Sequence, residues 1–489
     1  MMAKPRGKIW KNVLSYTAGQ ASMALFGVVI SAVLARYMSK SDFGRFSYLV
    51  ALATLFLPIL DMGATGFYTR LSSRERQMIG PHWARAIGLR VYSIPLTAAI
   101  LAVYFYFSEG RIEWEMWLVL LYAISQSVML STDVAFRAGE RGYAWAIRRS
   151  VYEISYFAMT VTTLAIFHLT TPLQQYAIAV VALALAAAWA TTTVFNVTGL
   201  TWRQFRTSVF APLSLTEFRN LWPFALNGAL FVFYYRLTAV FIEHFGTSEQ
   251  LADFRVVFVI MTAALYIPKP IIWATSPRMA WHDEQNDSER FHKLLQQSVD
   301  VNLYVSSFIT VGGLVFGAQL VAVAFGRKYA HLGWLWYVID VSMGLFFIQQ
   351  FCADLLNNFH QARHVVRTLA LGIAVMTVLN LILIPRYGAL GAGWARLVAG
   401  AVMVPVNLRA VGRLVGGFSR LHGISLWRFL AANAAAAGLG LALLLINFWL
   451  SLAVFLLAYP AFSYMLGAMP AQLVKLLARM MAVFASRTP

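Results

Sequence analysis

Apolar stretches of about twenty residues, divided by short polar turns, recur along nearly the whole chain, and about 20 apolar residues are what an α-helix needs to cross a bilayer. The pattern predicts helices near Asn12 to Tyr37, Arg45 to Tyr68, Gly88 to Phe107, Trp114 to Ala135, Trp145 to His168 and Gln175 to Val197. After a basic connector holding Trp202, Arg203 and Arg206 it predicts Asn220 to Glu243, Arg255 to Pro277, Val299 to Ala324, Leu332 to Leu355, His364 to Ile384 and Leu390 to Leu408. Two more, Ser425 to Ile446 and Phe448 to Ala468, are separated only by a tight turn at Asn447, for fourteen spans in all. Beyond them Leu473, Leu476, Leu477, Met480 and Phe484 recur at helical spacing while Lys475 and Arg479 project elsewhere, the pattern of a helix lying on an anionic leaflet. The fold class is therefore all-α and polytopic.

Duplication organises these spans. Tyr37-Met38-Ser39-Lys40-Ser41-Asp42-Phe43 after span one resembles Phe245-Gly246-Thr247-Ser248-Glu249-Gln250 after span seven, and the following helix carries Pro58 in one case and Pro268 with Pro270 in the other. Two six-helix lobes result, residues 1–198 and 220–410, joined by a connector at 199–219 and followed by two spans at 411–469 and an amphipathic tail at 470–489. Parallel repeats with a site at their interface are a recurrent transporter plan. The paired prolines of span eight leave backbone groups that neighbours must satisfy, which makes that helix a candidate bending element.

Composition agrees: the 489 residues are 60% hydrophobic and only 12% charged, with a mean hydropathy of +0.66. The net charge of +19 looks like a nucleic-acid signature until its distribution is followed. With the N-terminus cytoplasmic, most of the 39 Lys and Arg residues fall in short loops on the cytoplasmic side, Arg70, Arg74, Arg76 and Arg85 in one and Arg409, Arg413, Arg420 and Arg428 in another. That is the positive-inside bias and not a continuous basic face, so nucleic acid is excluded as a partner and both termini are expected in the cytoplasm. Trp10, Trp114, Trp117, Trp334, Trp336, Trp427 and Tyr37 fall near helix ends, where amphipathic rings anchor to the interface. Cys352 is the only cysteine, which rules out an intramolecular disulfide and a cysteine-based metal site.

Arg236, Lys269 and Arg396 lie inside spans seven, eight and twelve. A Lys or Arg at the bilayer centre costs about 2.5 to 3.5 kcal/mol on insertion scales, so these cations face a wet cavity or pair with acids such as Asp61, Glu153 and Asp340, with Asp133 and Asp300 nearer the cytoplasmic ends. A cationic cavity points to an anionic ligand, because a guanidinium grips phosphate oxygens bidentately and a lysine acts as a point charge. Gln20, Gly27 and Ser31 share one face of span one, Gln126 lies seven residues before Asp133 in span four, and Gln349 and Gln350 add a polar step in span ten. Asp61 and Asp340 are candidate ion-coupling acids, and Gln20 and Gln126 candidate cavity residues.

Several chemistries drop out. His360 and His364 have the spacing of a metal pair but no third ligand. No Walker loop is present, and Asp283, Glu284, Asp287 and Glu289 read as a solvated loop. The longest loop, about twenty residues, leaves little room for the soluble domain on which membrane transferases assemble a catalytic site. The chain is expected to be no enzyme and to need no cofactor.

Leu34-Ala35-Arg36-Tyr37-Met38-Ser39-Lys40-Ser41-Asp42-Phe43-Gly44-Arg45-Phe46, Pro58-Ile59-Leu60-Asp61-Met62-Gly63 and Pro385-Arg386-Tyr387-Gly388-Ala389-Leu390-Gly391-Ala392-Gly393 resemble the polysaccharide transporter branch of the multidrug/oligosaccharidyl-lipid/polysaccharide exporter superfamily, the O-antigen-unit flippases. The resemblance implies two lobes around a central cationic cavity, and alternating-access translocation of polyprenyl-diphosphate-linked oligosaccharides across the bacterial cytoplasmic membrane. It also implies surrounding lipid, polysaccharide polymerase and chain-length machinery as partners. On that reading Arg236 and Lys269 hold the diphosphate, Arg396 contributes from the other part of the C-terminal lobe, and the polar faces of spans one and four meet the glycan. The alternatives are a cation-coupled multidrug exporter of the same superfamily, for which membrane acids should outweigh bases, and a non-transporting scaffold for glycan-assembly enzymes.

Overall fold

The computed structural model of the chain describes residues 6–110, 114–267, 275, 279, 287–359, 361–414 and 426–474. The described residues are helical, with no strand among them. In chain order the helices are α1 Arg6–Tyr37, α2 Lys40–Leu55, α3 Leu57–Asp61, α4 Ala64–Arg74, α5 Ile79–Glu109, α6 Trp114–Ser131, α7 Asp133–Ala138, α8 Gly142–Ala165, α9 Pro172–Thr198 and α10 Trp202–Val209. They continue with α11 Leu215–Phe245, α12 Ser248–Ala264, α13 Ser288–Phe325, α14 Gly333–Asn358, α15 Ala362–Leu414, α16 Leu426–Leu444 and α17 Phe448–Met465. A helix stands in the described part of each expected span, with Ala362–Leu414 covering two of them, and among the described residues 11 helices are long and apolar enough to cross a membrane. The protein is a multi-pass membrane protein. Pro268, Lys269 and Pro270 of span eight, His360, Asp283 with Glu284, and the tail after Val474 lie outside the described residues.

Side-chain caps set the helix starts. Ser39 accepts from the Asp42 N–H at 3.0 Å to open α2, and Thr247 and Gln250 exchange bonds of 3.2 Å in both directions to open α12. The two segments that resemble one another in sequence are thus both hydroxyl caps, with the return bond from the side chain three residues on present only in the second, since Asp42 accepts from the Ser39 hydroxyl instead. The Asn447 Oδ1 caps α17 at 2.9 and 3.0 Å from the Trp449 and Leu450 N–H groups, which makes the tight turn between the last two spans.

The chain divides into two compact units, Met1–Val259 with Thr377–Ala392, and Ile260–Met376 with Gly393–Pro489. In the first, α1 lies along α8, α6 along α9, and α11 along α2. Its main core surrounds the fully buried Trp83 with Ala84, Leu89, Phe136, Val194 and Leu221. The connector is folded into this core: a capping box between Thr201 and Gln204 starts α10, Trp202 stacks on Phe205, and Phe205 lies 5.6 Å from the Trp83 ring. In the second unit α13, α16 and α17 bury Tyr304, Phe316, Phe455 and Tyr459 together, while Phe291, Leu295, Cys352 and Leu356 form a separate cluster.

Each motif that carries the family resemblance coincides with a special piece of backbone. Gly44 lies against the Ser248 carbonyl so closely that a Cβ would overlap it. In the Pro58 to Gly63 run, Met62 and Gly63 turn left-handed at φ 48 and 77 and break span two into α3 and α4. In the third run Gly388 folds α15 back on itself at φ 56 and ψ −133, a region essentially confined to glycine, with the Gln250 side chain where a Cβ would be. Gly388→Ala should therefore lower stability by about 1 to 3 kcal/mol from backbone strain alone, seen as an earlier thermal unfolding of the detergent-solubilised protein, whereas Gly438→Ala, inside α16 with open space around its Cβ position, should raise stability by up to about 1 kcal/mol.

Candidate functional site

Charged groups in the spans of the first unit are largely gathered into ion pairs. Arg90, 2% exposed on α5, donates to Asp61 and also to the Ser127 Oγ and carbonyl at 2.8 and 3.0 Å and to the Ala86 carbonyl at 2.6 Å. Asp61 holds the broken end of α3 through Thr65, whose hydroxyl donates to it at 2.5 Å. Arg148, wholly buried on α8, donates to Asp133 at 2.5 Å and to the Met129 carbonyl at 2.8 Å, and Trp145 Nε1 donates to the same carboxylate at 3.1 Å. Arg85 grips Glu217 through Nη2 and Nε at 2.6 and 2.8 Å, and Tyr68 donates to the same acid. Asp61 and Asp133, two of the acids expected to neutralise Arg236, are thus partners of Arg90 and Arg148.

Arg236 on α11 and Arg255 on α12 line a cleft with Ser47, Ala51, Tyr235 and Phe254. The two guanidinium groups repel one another, and the field of Arg255 reaches the hydroxyls of Tyr122 and Tyr156. Tyr122 stacks on Tyr176 with ring centroids 5.4 Å apart, and Tyr152 on Tyr156 at 6.0 Å. The cleft is narrow, about 20 Å³, room for about one water molecule.

Arg255 escapes the sequence pattern because span eight looks as if it begins there, which would leave it at the interface. The Thr247 cap starts the helix at Ser248 instead, so Arg255 stands two turns inside. The spacing of Thr247 and Gln250 is the signal that finds it. Of the other sequence candidates, Lys269 lies outside the described residues, and Arg396 and Asp340 are both buried in the second unit. Gln20 is half-buried on α1 and the Gln126 Oε1 is buried without a hydrogen bond, and neither lines the cleft. Among the described residues no group of His, Cys, Asp or Glu could hold a metal ion.

One to two turns along from the cleft, at the end of the unit carrying the 38–40 and 245–248 turns, an ionic network joins four helices. Arg45 of α2 reaches Glu115 of α6 at 3.0 Å and Glu243 of α11 at 3.4 Å, and Lys40 reaches Asp253 of α12 at 2.8 Å. Ser248 donates to Glu243 at 3.0 Å. Beside it the Tyr48 and Tyr104 hydroxyls bond at 2.8 Å, and Tyr104 meets His244 at 3.2 Å. Glu243 follows Arg236 by seven residues, two helical turns on the same face, so the network lies beyond the cleft toward that end of α11.

A family model described as "Polysaccharide biosynthesis protein" matches residues 9–281. No curated protein matches the sequence. Among solved structures the chain is similar to one described as "Lipid II flippase MurJ, inward closed conformation", at 12% identity and a TM-score of 0.69 over 93% of this chain and 98% of that one. It is similar also to an inward-facing multidrug resistance MATE family transporter of the MOP superfamily, at 10% identity and 0.58 over 83% and 96%. A third is a MOP superfamily transporter from Pyrococcus furiosus described by the reverse polarity of its binding pocket, at 11% identity and 0.59 over 85% and 96%. The fold is that of the MOP transporters.

Two outcomes follow from the charge arrangement. Arg90→Ala, which strands Asp61, should destabilise the protein by about 3 to 5 kcal/mol, while the double change Arg90→Met with Asp61→Leu should recover much of the loss, read from thermal unfolding. Arg45→Ala should speed the labelling of a cysteine placed at Ala239, a residue lining the cleft, by a bulky water-soluble maleimide. An unchanged labelling rate would show that the Arg45 network does not close it.

Proposed function

Because the chain belongs to the polysaccharide biosynthesis protein family, we propose that it is a flippase carrying a polyprenyl-diphosphate-linked oligosaccharide across the cytoplasmic membrane by alternating access, with Arg236 and Arg255 holding the diphosphate. The observation that carries this reading is the convergence of two guanidinium groups on one membrane-embedded cleft. Like charges brought together in a low dielectric repel strongly, and a diphosphate bridging them relieves that repulsion through charge-assisted bonds. The lipid tail stays in the bilayer, so the site has to stabilise only the charged and sugar portions. Tyr122 and Tyr156, which the field of Arg255 reaches, supply phenol hydroxyls for a glycan.

The likeness of the fold to a lipid II flippase supports the reading. So does the state of the acids, since a transporter of cationic drugs gains from membrane carboxylates, and Asp61 and Asp133 are here taken up by Arg90 and Arg148. On this reading the Arg45 network closes the periplasmic side of the cleft, and its release widens the cleft beyond its closed volume of about 20 Å³ and admits the head group to that leaflet. Lys269 lies outside the described residues and Arg396 sits in the second unit, so the assignment rests on Arg236 and Arg255.

The test is reconstitution of the full chain in liposomes carrying a fluorescent polyprenyl-diphosphate oligosaccharide, with translocation followed by access of an external glycosidase. Losing a charge-assisted bond costs about 1.5 to 3 kcal/mol, so Arg236→Ala and Arg255→Ala should each slow translocation roughly ten- to hundredfold. Translocation at the wild-type rate by both well-folded variants would sink the diphosphate assignment, and efflux of cationic dyes with no glycan movement by the wild type would favour a drug exporter.

A further inference from the structure

The second compact unit holds an acid that the translocation site does not use. Asp340 on α14 is 1% exposed and borders a half-open cavity of about 190 Å³ between α13, α14, α17 and the Ile260 to Ala264 end of α12. The walls are Phe308, Phe316, Trp336, Leu452 and Phe455 with their apolar neighbours, and none of these four elements presents another titratable or charged side chain to the cavity among the described residues. The Asp340 Oδ2 is buried and accepts no hydrogen bond. Gly313 makes the room for the carboxyl, since a Cβ there would overlap it, and the Gly313 carbonyl is occupied by Trp336 Nε1 at 2.8 Å.

This arrangement suits one occupant. An ionised carboxylate without a partner in a dry apolar medium is far costlier than the neutral acid, and acids inside membrane spans are rare unless they work. Hard metal cations take six or more oxygen ligands, whereas the cavity offers only the two oxygens of Asp340. The geometry points to Asp340 as a proton-binding site, neutral while its carboxyl is buried among apolar side chains and releasing the proton when transport lets water reach it, so that proton movement is coupled to translocation. The coupling rests on the flippase reading; the proton site does not.

The test therefore has two arms on the full-length protein in liposomes. Infrared spectroscopy at neutral pH should show the carbonyl stretch of a protonated carboxylic acid that disappears in Asp340→Asn and persists in Glu153→Gln, the variant of a buried acid in the first unit. A wild-type spectrum from which Asp340→Asn removes no such band overturns the site, whatever the protein transports. In the second arm an imposed pH gradient should accelerate glycan translocation by the wild type, and that acceleration should be lost in Asp340→Asn. Gradient dependence retained by Asp340→Asn would overturn the coupling and leave a static neutral acid, while no glycan translocation by the wild type would sink the flippase reading with the infrared arm still deciding the proton site.

Discussion

A charge inside a bilayer has to be answered by another charge, by a dense set of hydrogen bonds or by water, and the first unit is built around that requirement. Arg90 ties α5 to the break between α3 and α4 and to the α6 backbone, and Arg148 ties α8 to α6 and α7. Such pairs add little net stability over an apolar core, yet removing one partner is severe because the other is left bare. Their larger effect is on register, since an arginine matched to one carboxylate and two carbonyls admits only one sliding position of its helix. In the same unit two guanidinium groups, those of Arg236 and Arg255, line one cleft.

The helical architecture was legible from hydropathy alone, because the need for internal backbone hydrogen bonding in lipid leaves few options to an apolar run of twenty residues. The motifs carried more than family likeness: Gly44, Met62 with Gly63, and Gly388 mark a close approach, a break and a reversal that general side chains do not accommodate. The candidate site was legible only in part. Arg236 stands out as a cation in mid-span, but Arg255 hides behind a helix start that depends on a capping bond, and the partners of Arg90 and Arg148 are set by packing between helices. Asp61 looked available in the sequence and is occupied in the structure. Asp340 looked much like it and sits in an apolar cavity.

The duplicated turns show how one local device serves two purposes. Each is a hydroxyl cap followed by a helix that starts at the membrane edge, and each delivers a charge to the same network: Lys40 and Arg45 from the first, Asp253 from the second. The intimate fit of Gly44 on Ser248 places the two helix starts in contact, so the polar groups that begin the helices also fasten them together. A closure made of ions at the membrane edge can separate at modest cost, since water and salt stand ready to take over each charge, whereas the pairs around Arg90 and Arg148 have no such substitute.

The connector before α11 has a mechanical consequence. It is a folded arm: α10 rests on α5 with Val209 directly against Gly88, and the next residues are clasped by Arg85 through the Ala211 and Pro212 carbonyls and Glu217. An arm fixed at both ends transmits displacement where a slack tether would absorb it. Any tilt of α11, the helix that bears Arg236, must pull on α5 at the opposite end from the Arg45 closure, which makes α10 the lever through which the two ends of the unit feel each other's motion.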